Sequence, residues 1–235
     1  MDFAYTIQLI PVFLERLPFT LGAIALGFSF GFVLALLVTL GRINRIPVLS
    51  PVLDLYVSFI RCIPSVLLLF LVYYGLPFIA GLLFSVDMDS MAKIFFGVFS
   101  LILFNGGRIS EILRAAFLSV PKEQSELADS LGYSRLQKLW HVVMPQAIPI
   151  AIPDLGNALI DVMKDTSLFF TIGIVDMMGT ADIYVGNNYG VKQAEIYLSV
   201  ACVYWLCSLI LTGVIRLAGK KWSYSRLSKG IVGKI

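Results

Sequence analysis

The chain has 235 residues, of which 58% are hydrophobic and 14% charged, with a net charge of +3; a soluble domain carries about 25% charged residues. A mean hydropathy of +0.87 excludes an ordinary soluble enzyme and points to an all-α integral membrane protein, a single transmembrane domain over 1–235. No G-x-x-x-x-G-K-S/T run occurs, which excludes a P-loop nucleotide site in this chain, and no Ser/His/Asp or Cys/His constellation suggests covalent catalysis.

Residues 1–16 read as a short amphipathic lead-in containing Pro11 and Glu15-Arg16. The first charges are acidic, Asp2 and Glu15, and no basic stretch precedes an apolar run, so a cleavable signal peptide is not expected. The first span is 17–40, which carries no charge and exceeds the about 20 residues needed to cross a bilayer. Ala23, Gly27 and Gly31 recur every four residues along it, a small-residue face for close helix packing. A basic turn, Gly41 to Arg45, leads to a second span at 51–75. A loop over 76–90 with Asp87 and Asp89 precedes a third span at 91–116. The fourth span is 147–175, interrupted by Pro149 and Pro153. A polar loop over 176–193 precedes the fifth span at 194–217, and a basic tail follows from Lys220. Cys62, Cys202 and Cys207 lie in apolar segments, are odd in number and lack metal-ligand spacing; buried free thiols are expected, and no metal site.

Between the third and fourth spans lies the longest polar interval, a hairpin over 119–145. Pro121 suits the first position of a helix, Gly132 suits a left-handed helix end, and Ser134 can cap a second short helix. Leu136, Leu139, Trp140 and Val143 then form an apolar stripe. Helices this short are marginal alone, so a partner covering that stripe is expected. His141, the only histidine, falls here and is read as structural.

Five spans put the termini on opposite sides, and cytoplasmic loops carry the excess of Lys and Arg. The hairpin side would hold Arg42, Arg45, Arg108, Arg114, Lys122, Arg135, Lys138, Arg216, Lys220, Lys221, Arg226, Lys229 and Lys234; the other holds Arg16, Lys93 and Lys192. The N-terminus is therefore expected outside, with the hairpin and C-terminus in the cytosol.

Ionisable groups within spans are costly and point to function. On the second span Asp54, Ser58, Arg61 and Ser65 share one helical face. On the fourth, Asp154, Asn157, Asp161, Lys164 and Asp165 fall within an arc of about 100°. Structural pairs Arg61–Asp54 and Lys164–Asp161 are one reading; a polar path with groups of both signs, suited to a zwitterion, is the other, and the two are compatible.

The hairpin resembles the cytoplasmic loop of permease subunits of type I ATP-binding-cassette importers. Its Glu-Ala-Ala start, Gly and Ile-x-Leu-Pro finish are matched in spacing by Glu126, Leu127, Ala128, Gly132, Val142, Met144 and Pro145, with Leu for the first Ala. The run Asp54 to Pro77, the residues Asn105, Glu111, Ile112 and Arg114, the run Ser119 to Lys122, Met144-Pro145-Gln146, and Lys164 to Leu168 after Asn157 resemble the polar amino-acid subfamily, which includes histidine, glutamine and cystine permeases. Cys62-Ile63 replaces Gly-Thr, and Asp161 replaces a small or apolar residue. The resemblance implies a non-catalytic subunit of a bacterial cytoplasmic membrane, with Glu126, Leu127, Ala128, Asp129 and Gly132 docked on a cytosolic ATPase. It implies as partners two ATPase subunits, a second permease and an extracytoplasmic solute-binding protein. The chain itself would hold no cofactor; ATP and Mg belong to the ATPase. Arg61, Asn105, Glu111, Asp161, Lys164 and Asp165 become candidates for the translocation path, Arg61 for the cargo carboxylate and Asp161 or Asp165 for its ammonium. The 182–205 region looks most like cystine permeases. A proton- or sodium-coupled secondary transporter is the rival reading, although no internal repeat is visible; a non-transport membrane scaffold is the other, and it leaves the two polar stripes without a purpose.

Overall fold

The computed structural model describes residues 2–88 and 90–221, so Asp89 and the tail residues Arg226, Lys229 and Lys234 lie outside the described residues. Among the described residues all regular structure is helical. Helix α1 runs unbroken over Phe3–Ile43, 41 residues, about 60 Å at 1.5 Å per residue. It absorbs the expected lead-in and passes through Pro11 and Pro18. Burial explains this: Leu9 and Phe13 of its first turns pack with Met177, Ala181, Ile196, Val200 and Val203 in one core cluster. Asp2 caps the helix, accepting from the Tyr5 amide at 3.1 Å, and that bond holds the exposed Asp2 carboxyl below its ordinary range. Further along, Ala23, Gly27, Gly31 and Ala35 are buried, and the small face seats α1 on the helix that carries the site. A Cβ on Gly31 would stand 2.8 Å from Cβ of Asn105.

The second span departs from 51–75. The chain breaks at Ile63-Pro64, separating α2 (Leu49–Cys62) from α3 (Ser65–Phe70). Pro64 forces the preceding residue out of helical conformation, and Ile63 is extended at φ −93°, ψ 138°. The apolar helix long enough to cross a membrane is instead Ser65–Phe84, comprising α3, a wide π turn at Leu71–Gly75, and α4 (Leu76–Phe84). The expected 76–90 loop is thus largely helix. A second π turn, at Leu139–Val143, again lies just upstream of a proline, Pro145. In each case the carbonyl four residues before the proline, which its ring would strike, falls inside the widened turn.

Helix α5 (Lys93–Leu118) sits centrally and packs on α1, α2 and α8. The hairpin comprises α6 (Lys122–Ser130) and α7 (Arg135–Lys138), and α8 follows at Met144–Thr166. Helix α8 is not interrupted at Pro149 or Pro153, which lie inside it. The break comes later: a 3-10 turn over Ser167–Ile172 ends at Gly173 with φ +76°. Asp176 then caps α9 (Met177–Asn187), accepting from the Gly179 amide at 2.8 Å, so the expected 176–193 loop is mostly a helix. This bent pair makes a 45° angle. Helix α10 is Gln193–Lys221. Among the described residues four helices are long and apolar enough to cross a membrane, and there are five if the bent pair is one span. The three cysteines are free, but not buried as expected: Cys62, at the end of α2, is exposed and Cys202 and Cys207 on α10 are half-buried.

Candidate functional site

Helix α5 presents Phe104, Arg108 and Glu111 along one face, at i, i+4 and i+7. Opposite them stand α2, docked through Ile60 against Gly107 and through Tyr56, whose hydroxyl donates to the Leu103 carbonyl at 2.5 Å, and the polar stripe of α8. The space between is a cavity of about 490 Å³, lined by groups of both signs: Arg61, Arg108, Glu111 and Asp154. That volume lies within the usual 300–1,000 Å³ of a small-molecule site. A second opening of about 400 Å³, lined by Arg42, Asp54, Arg61, Glu111 and Arg114, lies on the other side of Arg61 and Glu111.

Two ion clusters flank this space. In the first, Glu111 accepts from Arg42 at 2.9 Å and from Arg114 Nε at 3.1 Å, while Arg42 Nε also reaches Asp54 at 2.6 Å. The anticipated Arg61–Asp54 pair is not the one formed. Asp54 pairs with Arg42, which the end of α1 brings across from a different helix. Arg61 is 60% exposed, and its nearest acid is Glu111 at 3.9 Å. In the second cluster Lys164 meets Asp161 at 2.7 Å, as the i, i+3 spacing allowed, and Arg108 Nη2 meets the other oxygen of Asp161 at 2.5 Å. Arg108 Nη1 stands 3.9 Å from Asp165 Oδ2, an oxygen that accepts no hydrogen bond among the described residues.

Sequence reasoning missed Arg42, Arg108 and Arg114 as members of these clusters. The 3.6-residue periodicity that places Arg108 and Glu111 on one face of α5 was the available signal; positive charge there read instead as a marker of the cytosolic side. Asn105 is a correction in the other direction. It is fully buried against Gly31 of α1 and donates to the Leu101 carbonyl at 2.8 Å, so it belongs to the α1–α5 interface and not to the cavity. Glu111 lines the charged space and Arg61 stands at its rim, while Asp161, Lys164 and Asp165 join it through the ion cluster on Arg108.

The hairpin is built as its residue types dictate. Gly132 takes φ +78°, and the Tyr133 amide donates back to the Ala128 carbonyl at 3.0 Å, closing α6 in a left-handed cap. Pro121 stands one residue before α6, at the cap. Ser134 and Gln137 form a reciprocal capping box at 2.8 and 3.3 Å. Ala128 is buried, and Asp129 is held by Lys138 at 2.8 Å, so both are engaged within the hairpin. The Gln146 amide, on α8, donates to Gln124 of α6 and to the Val142 carbonyl, so hairpin and α8 are tied together. The apolar stripe divides: Leu139 and Val143 are half-buried, whereas Leu136 and Trp140 point away, 68% and 58% exposed. Leu127 and Leu131 are comparably bare, and Glu126 is exposed beside them.

A family model described as "Binding-protein-dependent transport system inner membrane component" matches residues 27–224. Among curated proteins, the L-cystine transport system permease protein TcyL of Bacillus subtilis (strain 168) is 36% identical over 212 residues, covering 90% of this chain and 87% of the relative. The probable amino-acid ABC transporter permease protein PatM of Vibrio harveyi is 34% identical over 231 residues, covering 98% of each chain. Among solved structures, a crystal structure of an amino acid ABC transporter with histidines superposes with a TM-score of 0.81 at 27% identity, covering 94% of this chain and 99% of the other.

Proposed function

We propose that this chain, which belongs to the family of binding-protein-dependent transport system inner membrane components, forms the transmembrane path of an ATP-driven importer of a polar amino acid. It is a permease subunit without catalytic chemistry of its own, a multi-pass protein of a bacterial cytoplasmic membrane. The observation that carries the reading is the cavity between α2, α5 and α8, walled by Arg61, Arg108, Glu111 and Asp154 and continued by Asp161, Lys164 and Asp165. Charge of both signs in one cavity suits a zwitterion, which can satisfy each sign with one end and cross without carrying net charge.

The second half of the proposal is coupling. Leu127, Leu131, Leu136 and Trp140 give the hairpin an apolar surface, with Glu126 beside it and Gly132 setting its turn. A separate cytosolic ATPase, holding ATP and Mg, docks there, and Ala128 and Asp129 keep the hairpin in shape for it. The tie from Gln146 to Gln124 passes a displacement of the hairpin into α8, which carries Asp161 and Asp165. Two permease subunits, two ATPases and an extracytoplasmic binding protein complete the complex. The N-terminus lies outside and the C-terminus in the cytosol, by the distribution of Lys and Arg. L-cystine is the favoured cargo, supported by the naming of TcyL among the relatives.

The decisive experiment measures uptake of labelled L-cystine, and of arginine, glutamine and histidine, into cells carrying the whole complex. Uptake blocked by vanadate or ATP depletion is the expected result. Uptake that survives both and stops only with an uncoupler overturns the ATP-driven reading in favour of ion-coupled transport.

A further inference from the structure

The charged cavity contains two arginines, and they are not equivalent. Arg61 is 60% exposed at the rim and its ion-pair partner among the described residues is Glu111 at 3.9 Å, already bound by Arg42 and Arg114. Arg108 is 31% exposed and faces the cavity from one side while bonding an acid on the other. Its guanidinium lies 5.4 Å above the ring of Phe104. Phe104 lines both the wide cavity and a small one beyond it, about 10 Å³, walled by Ser65, Ser100 and Asp165. The Phe104–Arg108 pair therefore stands at the boundary between a roomy chamber and a space for about one water.

We infer that Arg108 receives the carboxylate of the cargo, exchanging its bond to Asp161 for one to the cargo. This inference rests on the amino-acid reading above. Arg108 and Lys164 balance Asp161 and Asp165, two charges of each sign. A zwitterion inserted between Arg108 and Asp161 pairs its carboxylate with the first and its ammonium with the second, and the cluster stays neutral. A bare carboxylic acid or a bare amine would leave one charge without a partner, which is costly in a partly dry site. Opening the Arg108–Asp161 bond also releases the guanidinium from the boundary, so entry of a zwitterion and passage towards Asp165 become one event. The carboxylate role that sequence reasoning assigned to Arg61 passes to Arg108 on these grounds: depth, a carboxylate already within bonding distance of the guanidinium, and a position between two chambers.

The test measures equilibrium binding of tritiated amino acid to the purified permease–ATPase complex in nanodiscs, without binding protein. The competitors are the α-amino acid, its α-amide and its des-amino acid. In the parent protein the acid competes and the other two do not. In Arg108→Gln the preference of acid over amide falls by about ten- to hundredfold, the usual worth of a charge-assisted bond, while Arg61→Gln keeps it. In Asp161→Asn the guanidinium loses its resident partner, and the des-amino acid gains affinity by about tenfold or more. All three variants are checked for assembly by size-exclusion chromatography. An unchanged acid-over-amide preference in Arg108→Gln, or its loss in Arg61→Gln alone, overturns the inference and leaves the transport reading standing. If Arg108→Gln does not assemble, the des-amino result with Asp161→Asn decides alone. No binding of any amino acid by the parent complex overturns both.

Discussion

At the scale of single residues, the chain concentrates its charge where one acid serves several bases. Glu111 accepts from Arg42 of α1 and Arg114 of α5 and sits 3.9 Å from Arg61 of α2, so one carboxylate ties three helices. Replacing it with Ala leaves partly buried guanidiniums facing one another. Breaking a buried pair costs about 3–5 kcal/mol and an exposed one about 0–1 kcal/mol; Glu111, at 23% exposure, falls between. Glu111→Ala should lower the melting temperature of the detergent-purified protein by several degrees, read by a thermal-shift assay, whereas Glu123→Ala on the exposed hairpin should not. An unaltered melting temperature would show that the cluster holds cargo or nothing, but not the fold. Gly31 carries a different burden. Its Cβ position is occupied to within 2.8 Å by Asn105, and overpacking costs about 1–3 kcal/mol per substitution. Gly31→Leu should abolish the monodisperse peak in fluorescence-detected chromatography. Gly22→Leu, where nothing lies within 4 Å, should keep it.

Among elements, the hairpin is the one whose sequence and shape agree most completely. Each local device is present: glycine at positive φ, capping box, buried alanine. A side chain at Gly132 meets no neighbour within 4 Å, so the penalty is conformational alone, about 1–2 kcal/mol for a left-handed residue. Gly132→Val should therefore insert into the membrane normally while losing ATPase recovery on affinity purification and losing uptake. Wild-type uptake in that variant would remove the hairpin from the coupling role. Leu136→Ser with Trp140→Ser makes the complementary case. Both side chains are more than half exposed, so fold stability should hold while ATPase recovery drops.

For the whole molecule, the order of burial explains the architecture. The first turns of α1 are helical because α9 and α10 cover Leu9 and Phe13. On that same surface Lys192 lies 3.9 Å above the ring of Tyr5, and Asp2 donates its amide to Glu195 at 3.2 Å. The proposed membrane orientation rests on the basic residues and is checked by a reporter fused after Ile235, which should report from the cytosol. A signal from outside would invert the proposed topology and strand the hairpin on the wrong side for an ATPase.

What could be read before any coordinates was what composition and short-range spacing control: an all-helical membrane protein, the hairpin with its glycine turn, the small face of α1, the acidic and basic stripe of α8. These depend on contacts within a turn or two of the chain, and on the cost of charge in lipid. What needed the folded molecule was everything that depends on which helix faces which. The break at Pro64 could have been a kink within one span; α2 separates there and lies across α5 through Tyr56 and Ile60. The prolines of α8 looked like the interruption, yet the helix runs through both, and the bend comes after the 3-10 turn that ends at Gly173. Asp54 found Arg42 rather than Arg61, and Asp161 found Arg108 as well as Lys164, because an ion pair is chosen by distance in space, and a different helix supplied the partner that spacing along the chain did not show, Arg42 from α1 and Arg108 from α5.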